Sequence, residues 1–416
     1  MKVYFETFGC TSNQADTEIM KSLLEGGHNL VSSRSDSDVV VINSCAVIDR
    51  TERKVLKAAE SARAEGKKVV LAGCLPRIDP GALTTFKPDS IVSPDSINLI
   101  ARAVEGAAAG GFTAVSSQHV DKAVLSAGNG QLIRAIPIAE GCLGSCSYCG
   151  TRFARGRLRS FSMDSITAAV QRAVISGTRE VQLTAQDTGI YGMDTGPRLP
   201  ELLRQVCTVK GDFKVRVGMM NPTYVAPILG DLIQAFKCEH VYKFLHLPLQ
   251  SGDNSVLVHM KRGYRVEDFM SIVAGFRKTF AGLTLATDVI IGYPTEDEAA
   301  FEKTLATVEA LRPGVLNITR FSPRPMTDAA ELKDLTDRVK KERSRRMSEL
   351  KKRILLENNE KFLGQKVDVL VTEKGKNGTF LARTDGYKQV VLEFGMLGEM
   401  HRVEITDAKA HYLIGK

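Results

Sequence analysis

With 416 residues, the chain is too long for one ordinary hydrophobic core, and roughly two or three domains are expected. Its apolar runs fall short of the roughly eighteen residues that span a membrane, and Glu6 interrupts a start that would be apolar in a signal peptide. A cytoplasmic protein without a membrane partner is therefore predicted. The net charge of +8 favours an anionic partner, first of all nucleic acid. In a reducing compartment, the eight cysteines indicate metal or catalytic roles and argue against a disulfide framework.

Residues 1–120 alternate strand and helix patterns. The runs DVVVIN (38–43) and KVVLAG (68–73) are short and β-branched, as in strands buried in a parallel sheet. Between them, residues 51–66 have a helical pattern, and Asp16 is a candidate cap for an earlier helix. This order predicts a small doubly wound α/β domain.

A Gly-, Ala- and Ser-rich stretch follows, and its end, residues 121–132, is predicted to link the first domain to a second one. The second domain, residues 133–355, alternates strand and helix patterns for longer. Its strand candidates lie at residues 132–140, 180–185, 213–218, 243–249, 284–292 and 315–321. Six βα units in series predict a partial (βα)6 barrel, open on one side, with its chemistry at the carboxyl ends of the strands.

The barrel segment ends in a basic helical pattern, RVKKERSRRMSELKKR (338–353), which has nine basic residues against two acidic ones. Residues 356–416 then change to short β-prone pieces separated by Gly and Asn turns. That change predicts a small antiparallel β-barrel, appended as a separate domain. The expected fold class is therefore α/β, with a doubly wound domain, a partial barrel and a small terminal β-barrel.

The most specific motif is EGCLGSCSYCG (140–150), which places Cys142, Cys146 and Cys149 in the spacing C-x3-C-x2-C. Four thiolates usually hold a four-iron cluster, so three thiolates leave one iron open to a small molecule with an amine and a carboxylate. A zinc site or an accidental group of thiols is the alternative interpretation.

At the end of the first barrel strand, this motif resembles the cluster loop of the radical S-adenosylmethionine (SAM) superfamily, which also has an aromatic residue at the position of Tyr148. The resemblance implies that the methionine end of SAM chelates the open iron and that electron transfer cleaves SAM to a 5′-deoxyadenosyl radical. Candidate cofactor contacts lie on later strands or at their ends: Gln186 and Asp187 in AQDTG follow the second strand, Gln250 in PLQSGD is at the end of the fourth, and Asp288 in TDVIIG is inside the fifth. A local role in helix capping or strand-end hydrogen bonding is the alternative for these residues.

Three further cysteines, Cys10, Cys45 and Cys74, are isolated in the first domain, where a single buried cysteine is more often inert. Cys45 and Cys74 each follow a predicted strand, Cys10 ends the first one, YFETFGC, and loops at the carboxyl edge of a parallel sheet converge on one crevice. Three thiolates there would hold a second cluster with an open iron, and an inert core role is the alternative. Cys207 and Cys238 lie in apolar helical contexts and are interpreted as structural.

Over essentially its whole length, the sequence resembles the methylthiotransferase family. The resemblance is carried by FGCTSNQAD, NSCAV, GC and the cluster motif, followed by ARGRLRS (154–160), HLPLQSGDNSVLVHMKRGY (246–264) and TDVIIGYPTEDEAAF (287–301). It implies an auxiliary [4Fe-4S] cluster on the first three cysteines, which makes two [4Fe-4S] clusters and SAM the cofactors. It also implies a TRAM-like RNA-binding terminal barrel and an electron donor such as flavodoxin or ferredoxin.

Two basic segments are candidate RNA contacts. In ARGRLRS, Arg155, Arg157 and Arg159 alternate, and in an extended segment they would point the same way, to bind phosphate or the cofactor. The family pattern has another arginine after Ser160, where this chain has Phe161. In the basic helix, the predicted contacts are Arg345, Arg346, Lys351 and Lys352. For both segments, a solvated basic face is the alternative.

FGCTSNQADTEIM and NSCAVIDRTERKVLKA most resemble the methylthiotransferase branch, archaeal members included, that acts on N6-threonylcarbamoyladenosine. The resemblance implies an enzyme that converts this nucleoside at position 37 of tRNA to its 2-methylthio derivative. N6-isopentenyladenosine at the same position and an aspartate of a ribosomal protein are alternative substrates. A non-catalytic iron–sulfur RNA-binding protein is disfavoured because structural clusters normally have every iron ligated by protein.

Overall fold

The computed structural model describes residues 1–45, 49–81, 83, 86–115, 120–126 and 130–416. Ala46 and Val47 of the NSCAV motif, and residues 127–129 of the predicted linker, lie outside these ranges. Among the helices that the structure describes, none has the length and apolar character needed to cross a membrane.

The N-terminal domain is a six-stranded parallel sheet with helices on both faces. Its strands lie in the order β2-β1-β3-β4-β5-β6. Their bounds are β1 (Lys2–Thr7), β2 (Asn29–Leu30), β3 (Val39–Ser44), β4 (Lys68–Gly73), β5 (Ser90–Val92) and β6 (Phe112–Ala114). The helices are α1 (Thr11–Leu24), α2 (Asp49–Ala64), α3 (Leu75–Ile78) and α4 (Ile100–Ala108), with a 3-10 helix at Pro94–Leu99.

The β-branched runs are buried on both sides of this sheet. Val39 and Val41 of β3 pack in one apolar cluster, whereas Val40 and Ile42 pack in the other, because successive side chains of a strand point to opposite faces. The predicted doubly wound domain is confirmed. Helix α1 begins at Thr11, so Asp16 lies inside it and does not cap it as the sequence predicted.

The central domain is a partial barrel of six parallel strands in two three-stranded sheets, β11-β10-β7 and β12-β13-β14, which a bridge between Val215 and Val241 connects. Strands β7 and β14 are the edges, so the barrel is open between them. The strands are β7 (Ile133–Pro137), β10 (Glu180–Thr184), β11 (Lys214–Val217), β12 (Phe244–His246), β13 (Thr284–Ile291) and β14 (Val315–Arg320), with a short pair β8 (Ala139–Glu140) and β9 (Arg159–Ser160). The predicted (βα)6 barrel is confirmed.

Helices precede and follow these strands. They are α5 (Lys122–Leu125), α6 (Thr151–Arg155), α7 (Met163–Ile175), α8 (Leu199–Val206), α9 (Pro222–Val225), α10 (Leu229–Ala235), α11 (Asn254–His259), α12 (Val266–Thr279) and α13 (Glu298–Leu311). Shorter 3-10 helices lie at Thr188–Ile190, Ala226–Ile228 and Asp328–Glu331. Helix α5 lies inside the predicted linker, and its Lys122 is buried.

A long basic helix, α14 (Asp337–Glu360), runs antiparallel to β14. Near its start, Lys340 Nζ donates to Phe321 O (3.1 Å), just beyond the carboxyl end of β14, and near its end Asn358 Nδ2 donates to Pro313 O (3.1 Å), before the amino end of β14. The predicted domain boundary between residues 355 and 356 falls inside this helix.

The terminal domain is a closed five-stranded barrel in the order β15-β16-β17-β19-β18. Its strands are β15 (Lys366–Lys374), β16 (Phe380–Thr384), β17 (Gln389–Leu392), β18 (Met400–Ala408) and β19 (Leu413–Gly415). All of its pairs are antiparallel except β17 with β19. The predicted small barrel is confirmed.

The sequence suggested that the terminal barrel is a separate domain, but in the structure it packs against the central barrel. Tyr387 packs its ring against Tyr242 and Phe244, with centroids 4.9 and 5.0 Å away. Asp385 pairs with Lys214 Nζ (2.7 Å) and accepts the backbone N–H of Lys243 (2.8 Å). These partners lie at the amino ends of β11 and β12, so the terminal barrel closes the floor of the central barrel.

Cys207 and Cys238 form a disulfide, with their Cα atoms 6.6 Å apart. The two residues follow α8 and α10, which pack side by side, and this packing brings the thiols within bonding range although 31 positions separate them in sequence. Both cysteines are structural as predicted, but the expectation of a chain without disulfides is wrong for this pair.

Candidate cluster and cofactor site

The three N-terminal cysteines line one cavity of about 240 Å³. Cys10 follows β1, Cys45 follows β3 and Cys74 follows β4, so all three lie at the carboxyl edge of the sheet. Strands β1 and β3 flank the point where the strand order reverses, and loops that diverge there leave a crevice. The structure thus brings the three cysteines together, and their role as cluster ligands stays a prediction.

A glycine precedes Cys10 and another precedes Cys74, and both have backbones that favour glycine. Gly9 has φ +110°, and a Cβ there would lie 2.5 Å from Cys45 Cβ and 2.9 Å from Cys45 Sγ. Gly73 has φ +92°, and a Cβ there would lie 2.4 Å from Asn43 Oδ1. The missing side chains allow the loops to approach one another closely, which packs the Cys10 loop against Cys45.

Two buried asparagines hold these loops. Asn13 donates from Nδ2 to Ser44 O (2.8 Å), and Asn43 donates from Nδ2 to Asn13 O (2.8 Å). Cys10 Sγ lies 3.4 Å from Asn13 Oδ1. Sequence reasoning quoted both asparagines in the motifs but assigned them no role. Each lies within three residues of a cysteine of its motif, and this proximity was the signal that could have found them.

A ring of four buried charges connects this region to the central barrel. Lys122 Nζ lies 2.7 Å from Asp16 Oδ1 and 2.6 Å from Glu140 Oε2. Arg155 Nη1 lies 2.9 Å from Asp16 Oδ2 and 2.8 Å from Glu140 Oε1. Burial alone would raise the pKa of Glu140, but Lys122 and then Arg155 lower it to about 2. The ring fixes α1, α5, β8 and α6 relative to one another.

Arg155 is therefore excluded from the RNA contacts that the sequence predicted. Arg155 ends the helix α6, the chain turns at Gly156 (φ +74°) and Arg159 begins β9, so the three arginines do not share one extended segment. Arg155 is buried and also donates from Nη2 to Asn13 Oδ1 (3.1 Å). Arg159 pairs with Asp95 Oδ1 at 2.6 Å. Arg157 is exposed.

The C-x3-C-x2-C loop leaves β8 and presents three partly exposed cysteines, Cys142, Cys146 and Cys149. Gly144 N donates to Cys142 Sγ (3.2 Å), and Arg262 Nη1 donates to Cys146 Sγ (3.2 Å). The loop turns at Gly141 (φ +82°), where a Cβ would lie 2.1 Å from Arg157 O. A side chain at that position would push the loop away from its neighbour.

The donor set fits a cluster with separate irons. Among the residues that the structure describes, no three Cys, His or carboxylate side chains converge on one point that could hold a single metal ion. A four-iron cluster does not need such convergence, because each thiolate binds a different iron. Burial, and next the Asp187 carboxylate, raise the pKa of Cys142 to about 12, and burial also raises the pKa of Cys149. Thiolates at these positions require a nearby positive charge, which iron supplies.

Of the predicted cofactor contacts, Gln186 lies between the cysteine sets and Asp187 lies near Cys142. Gln186 accepts the Gly141 N–H at Oε1 (2.6 Å) and donates from Nε2 to Ser12 Oγ (3.3 Å), so it bridges the loop and α1. Asp187 accepts from Gly189 N (2.9 Å) and Asn221 N (3.1 Å) at Oδ1. Burial raises the pKa of Asp187 to about 6. Asp187 is thus a helix cap, the alternative considered from sequence, and it also lies near Cys142.

The other three predicted contacts line a second cavity, of about 200 Å³, beside Cys149. Tyr148, Gln250 and Asp288 lie on its wall. Asp288 accepts from His246 Nε2 (2.8 Å) and from Asn317 Nδ2 (2.7 Å). Burial alone would raise the pKa of Asp288, but the hydrogen bond with His246 lowers it overall. The carboxylate is therefore held ionised at the edge of this cavity.

Sequence reasoning missed two residues of the site. Arg262 is 6% exposed, donates to Cys146 and stacks over Tyr264, yet its Nε and Nη2 find no acceptor within the described part of the chain. A buried guanidinium with unsatisfied donors is suited to an anionic group of a ligand. His246 lines the cavity of the N-terminal cysteines. Both lie in the quoted motif HLPLQSGDNSVLVHMKRGY, which was the available signal.

The predicted RNA contacts of the basic helix lie on different faces. Arg346 pairs with Glu298 (2.7 Å) and Glu302 of α13, and Lys351 is half-buried. Arg345 and Lys352 are exposed, and Arg345 pairs with Glu349 one turn along the helix (2.8 Å). The glutamates of helix α13 therefore neutralise part of the positive charge that the sequence predicted to bind RNA.

Three family descriptions match successive parts of the chain. The radical SAM superfamily matches residues 136–308, an uncharacterized protein family, UPF0004, matches residues 2–93, and the TRAM domain matches residues 360–416. The first range holds the C-x3-C-x2-C loop, and the second holds Cys10, Cys45 and Cys74. The barrel and its loop therefore define a radical SAM protein with a further domain on each side.

Full-length relatives narrow this class. The chain is 50% identical to the "Probable threonylcarbamoyladenosine tRNA methylthiotransferase" of Archaeoglobus fulgidus, over 100% of this chain and 98% of the relative. It is 43% identical to the protein of the same name from Pyrococcus abyssi, over 100% and 99%. It is 35% identical to the "Threonylcarbamoyladenosine tRNA methylthiotransferase" of Danio rerio, over 100% and 78%. The chain belongs to the threonylcarbamoyladenosine tRNA methylthiotransferase family, as the sequence resemblance predicted.

Solved structures share the fold. TsrM of Kitasatospora setae, a radical S-adenosylmethionine methyltransferase solved with tryptophan substrate and a SAM analogue, matches with a TM-score of 0.59 and 12% identity. The match covers 79% of this chain and 75% of that one. The cobalamin-dependent radical enzyme OxsB matches with a TM-score of 0.51 and 11% identity, over 79% of this chain and 54% of that one. These likenesses concern the fold alone.

Proposed function

We propose that this protein converts N6-threonylcarbamoyladenosine at position 37 of tRNA to its 2-methylthio derivative. The observation that carries the proposal is the pair of three-cysteine sets on either side of Gln186. One set lines a cavity that is bounded by the barrel residues Gln182, Thr184 and His246. The other set lies in the loop after β8. Two reaction centres that face one barrel interior suit a reaction with two half-reactions, methylthio donation and hydrogen abstraction.

Cys142, Cys146 and Cys149 would hold one [4Fe-4S] cluster, and Cys10, Cys45 and Cys74 would hold the other. When they are bound, these clusters and SAM supply a 5′-deoxyadenosyl radical at the first set and the methylthio sulfur at the second. A radical is needed because the C2–H bond of adenosine resists polar chemistry. Each set has three ligands, so each leaves an iron open for a ligand that is not a cysteine.

The chain's own residues have distinct parts in holding SAM. The unsatisfied guanidinium of Arg262 is suited to the SAM carboxylate, and the Asp187 carboxylate is suited to its ammonium group. An ammonium group beside Asp187 would keep that carboxylate ionised, against the burial that raises its pKa to about 6. Asp288, held ionised by His246, is a candidate acceptor for the ribose hydroxyls.

The partners follow from the substrate. The terminal barrel, Arg157, Arg345 and Lys352 are the exposed candidates for tRNA contacts. An electron donor such as flavodoxin or ferredoxin would deliver the electron for SAM cleavage. We place the activity in the cytoplasm, since the proposed substrate is found there.

The test is mass spectrometry of tRNA nucleosides from cells that lack the gene and are complemented with the wild type or with variants. The wild type should restore 2-methylthio-N6-threonylcarbamoyladenosine, and the Cys142→Ala, Cys146→Ala, Cys149→Ala triple variant should not. Methylthiolation of N6-isopentenyladenosine instead, or unchanged tRNA together with a modified ribosomal protein, would contradict the proposed substrate.

A further inference from the structure

A groove of about 750 Å³ lies at the carboxyl end of β14, between α2 of the N-terminal domain and the start of α14. We call it the basic groove, because its lining has six basic residues against two acidic ones. The basic residues are Arg53, Lys54, Lys57, Arg320, Lys340 and Lys341, and the acidic ones are Asp334 and Asp337. The buried Arg324 pairs with the partly buried Glu52 of α2, and this ion pair holds α2 against the segment after β14, so that the two walls of the groove are fixed relative to each other.

Four of the six basic side chains have no ion-pair partner among the described residues. Lys340 is buried and occupied, since it pairs with Asp334 and donates to Phe321 O. In contrast, Lys54, Lys57, Arg320 and Lys341 are exposed and form no ion pair with any described residue. Like charges that converge on a concave surface repel one another and attract anions. An anionic ligand would relieve that repulsion.

The basic groove adjoins the candidate SAM cavity. Residues 319–322 line both the groove and the cavity that holds Tyr148, Gln250 and Asp288. A chain lying in the groove would therefore pass directly beside the place where the radical forms.

Helix α14 connects the basic groove to the terminal barrel. Some of its basic side chains pair with α13, and four others, Arg338, Lys341, Arg345 and Lys352, form an exposed stripe. At 3.6 residues per turn, the four stripe residues lie within about 60° of one another around the helix. The helix has 24 residues and is about 36 Å long. Near its far end, Asn359 donates to Lys409 O of the terminal barrel (2.7 Å).

We propose that the basic groove binds the sugar–phosphate backbone of the RNA substrate, which reaches it along the exposed stripe from the terminal barrel. This inference rests on the proposed function. It accounts for a separation in the fold: the terminal barrel closes the floor of the central barrel, whereas the cysteine loop lies at the opposite end of the strands. An RNA that contacts both must pass along one side, where the groove and the stripe present exposed basic side chains, of which Arg345 is paired with Glu349.

The experiment compares the Lys54→Gln, Lys57→Gln, Lys341→Gln variant with a charge-matched control, Lys2→Gln, Lys87→Gln, Lys210→Gln. The control lysines are also exposed but precede or begin strands β1, β5 and β11, at their amino ends. Binding of an anticodon stem-loop RNA is measured by fluorescence anisotropy over a series of salt concentrations. The groove variant should bind about tenfold to a hundredfold more weakly, with the magnitude of the salt slope reduced by about 2, because each lost phosphate contact removes about 0.7–0.9. The control should match the wild type.

The inference would be overturned if the groove variant bound RNA with the affinity and salt slope of the wild type. If, in addition, flavodoxin reduced the clusters of this variant more slowly, the groove would be assigned to the electron donor. If the wild type itself neither bound nor methylthiolated the stem-loop, the proposed function would fail instead. A second experiment uses only the wild-type protein, so it does not depend on the folding of a variant. Its lysines are acylated with and without the RNA, and mass spectrometry measures the modification of each lysine. Bound RNA should protect Lys54, Lys57 and Lys341 but not the three control lysines, and unprotected groove lysines would also overturn the inference.

Discussion

The hydroxyl of Tyr387 donates a 2.7 Å hydrogen bond to the buried carboxylate of Glu180, which joins the terminal barrel to the floor of the central one. Glu180 also accepts from Gln182 Nε2 (2.7 Å), and Gln182 accepts from Arg216 Nη1 (3.3 Å). Gln182 and Arg216 line the cavity of Cys10, Cys45 and Cys74. A chain of hydrogen bonds thus connects the terminal barrel to the candidate auxiliary site.

We expect Tyr387→Phe to lower the free energy of unfolding by about 1–3 kcal/mol, because it removes the donor from a buried carboxylate. Unfolding in urea measures the change. Tyr412→Phe is the control, since the Tyr412 hydroxyl has no hydrogen-bond partner among the described side chains and backbone. Equal losses in the two variants would contradict the role given to the Glu180 bond.

Deletion of residues 366–416 should uncover Tyr242 and Phe244 and reduce the stability of the central barrel as well as RNA binding. Truncation at this point would leave an apolar floor exposed to water, which the native structure covers with Tyr387. Thermal unfolding and iron content per chain measure the effect. A truncated protein that unfolds at the wild-type temperature would show that the terminal barrel is an independent domain after all.

Arg155→Met should destabilise the protein by about 3–5 kcal/mol, because the carboxylates of Asp16 and Glu140 would then share the single cation of Lys122. The matched control is Arg157→Met, two positions away and exposed, which should change stability little. Chemical unfolding gives both values. A stable Arg155→Met protein with weakened RNA binding would mean that Arg155 contacts RNA, as the sequence had suggested.

The two cysteine sets should separate the two half-reactions. Anaerobic reconstitution should load about eight irons per wild-type chain and about four into each triple Cys→Ala variant. The Cys142, Cys146, Cys149 variant should lose 5′-deoxyadenosine formation, whereas the Cys10, Cys45, Cys74 variant should keep it and lose the methylthio product. Chromatography of both products measures this. Methylthio product from the second variant would return those three cysteines to an inert core role.

Arg262→Gln should weaken SAM binding by roughly tenfold to a hundredfold, the loss that corresponds to one charge-assisted hydrogen bond of about 1.5–3 kcal/mol. Equilibrium dialysis of the iron-loaded protein with SAM measures the affinity, and the iron content shows whether the cluster loop is intact. Arg265→Gln is the control, because the Arg265 side chain is 70% exposed and pairs with Glu267. If Arg262→Gln bound SAM with unchanged affinity and had full iron content, Arg262 would not be the residue that binds the SAM carboxylate.

The sequence by itself determined the order of the domains and the class of the chemistry. Strand runs such as residues 38–43 and 68–73 predict a parallel sheet because burial on both faces demands continuous β-branched residues. Cys142, Cys146 and Cys149 lie close in the chain, so their spacing alone specifies a loop that can hold a cluster. Cys10, Cys45 and Cys74 could be grouped only because each follows a strand of the same sheet, and strand ends share an edge.

The tertiary structure decided which basic side chains are exposed and able to bind RNA, and where the terminal barrel lies. Arg155 and Arg157 are two residues apart, yet one is buried in a ring of charges and the other is exposed, because α6 ends at Arg155 and the chain turns at Gly156 (φ +74°). Arg346 and Arg345 are adjacent, but only Arg346 faces the glutamates of α13. Local patterns encode the conformation of a segment, whereas pairing between buried charges depends on partners that are distant in the chain, such as Asp16 and Arg155. That dependence is why the fold class and the cysteines could be read from the sequence, while the floor that Tyr387 closes could not.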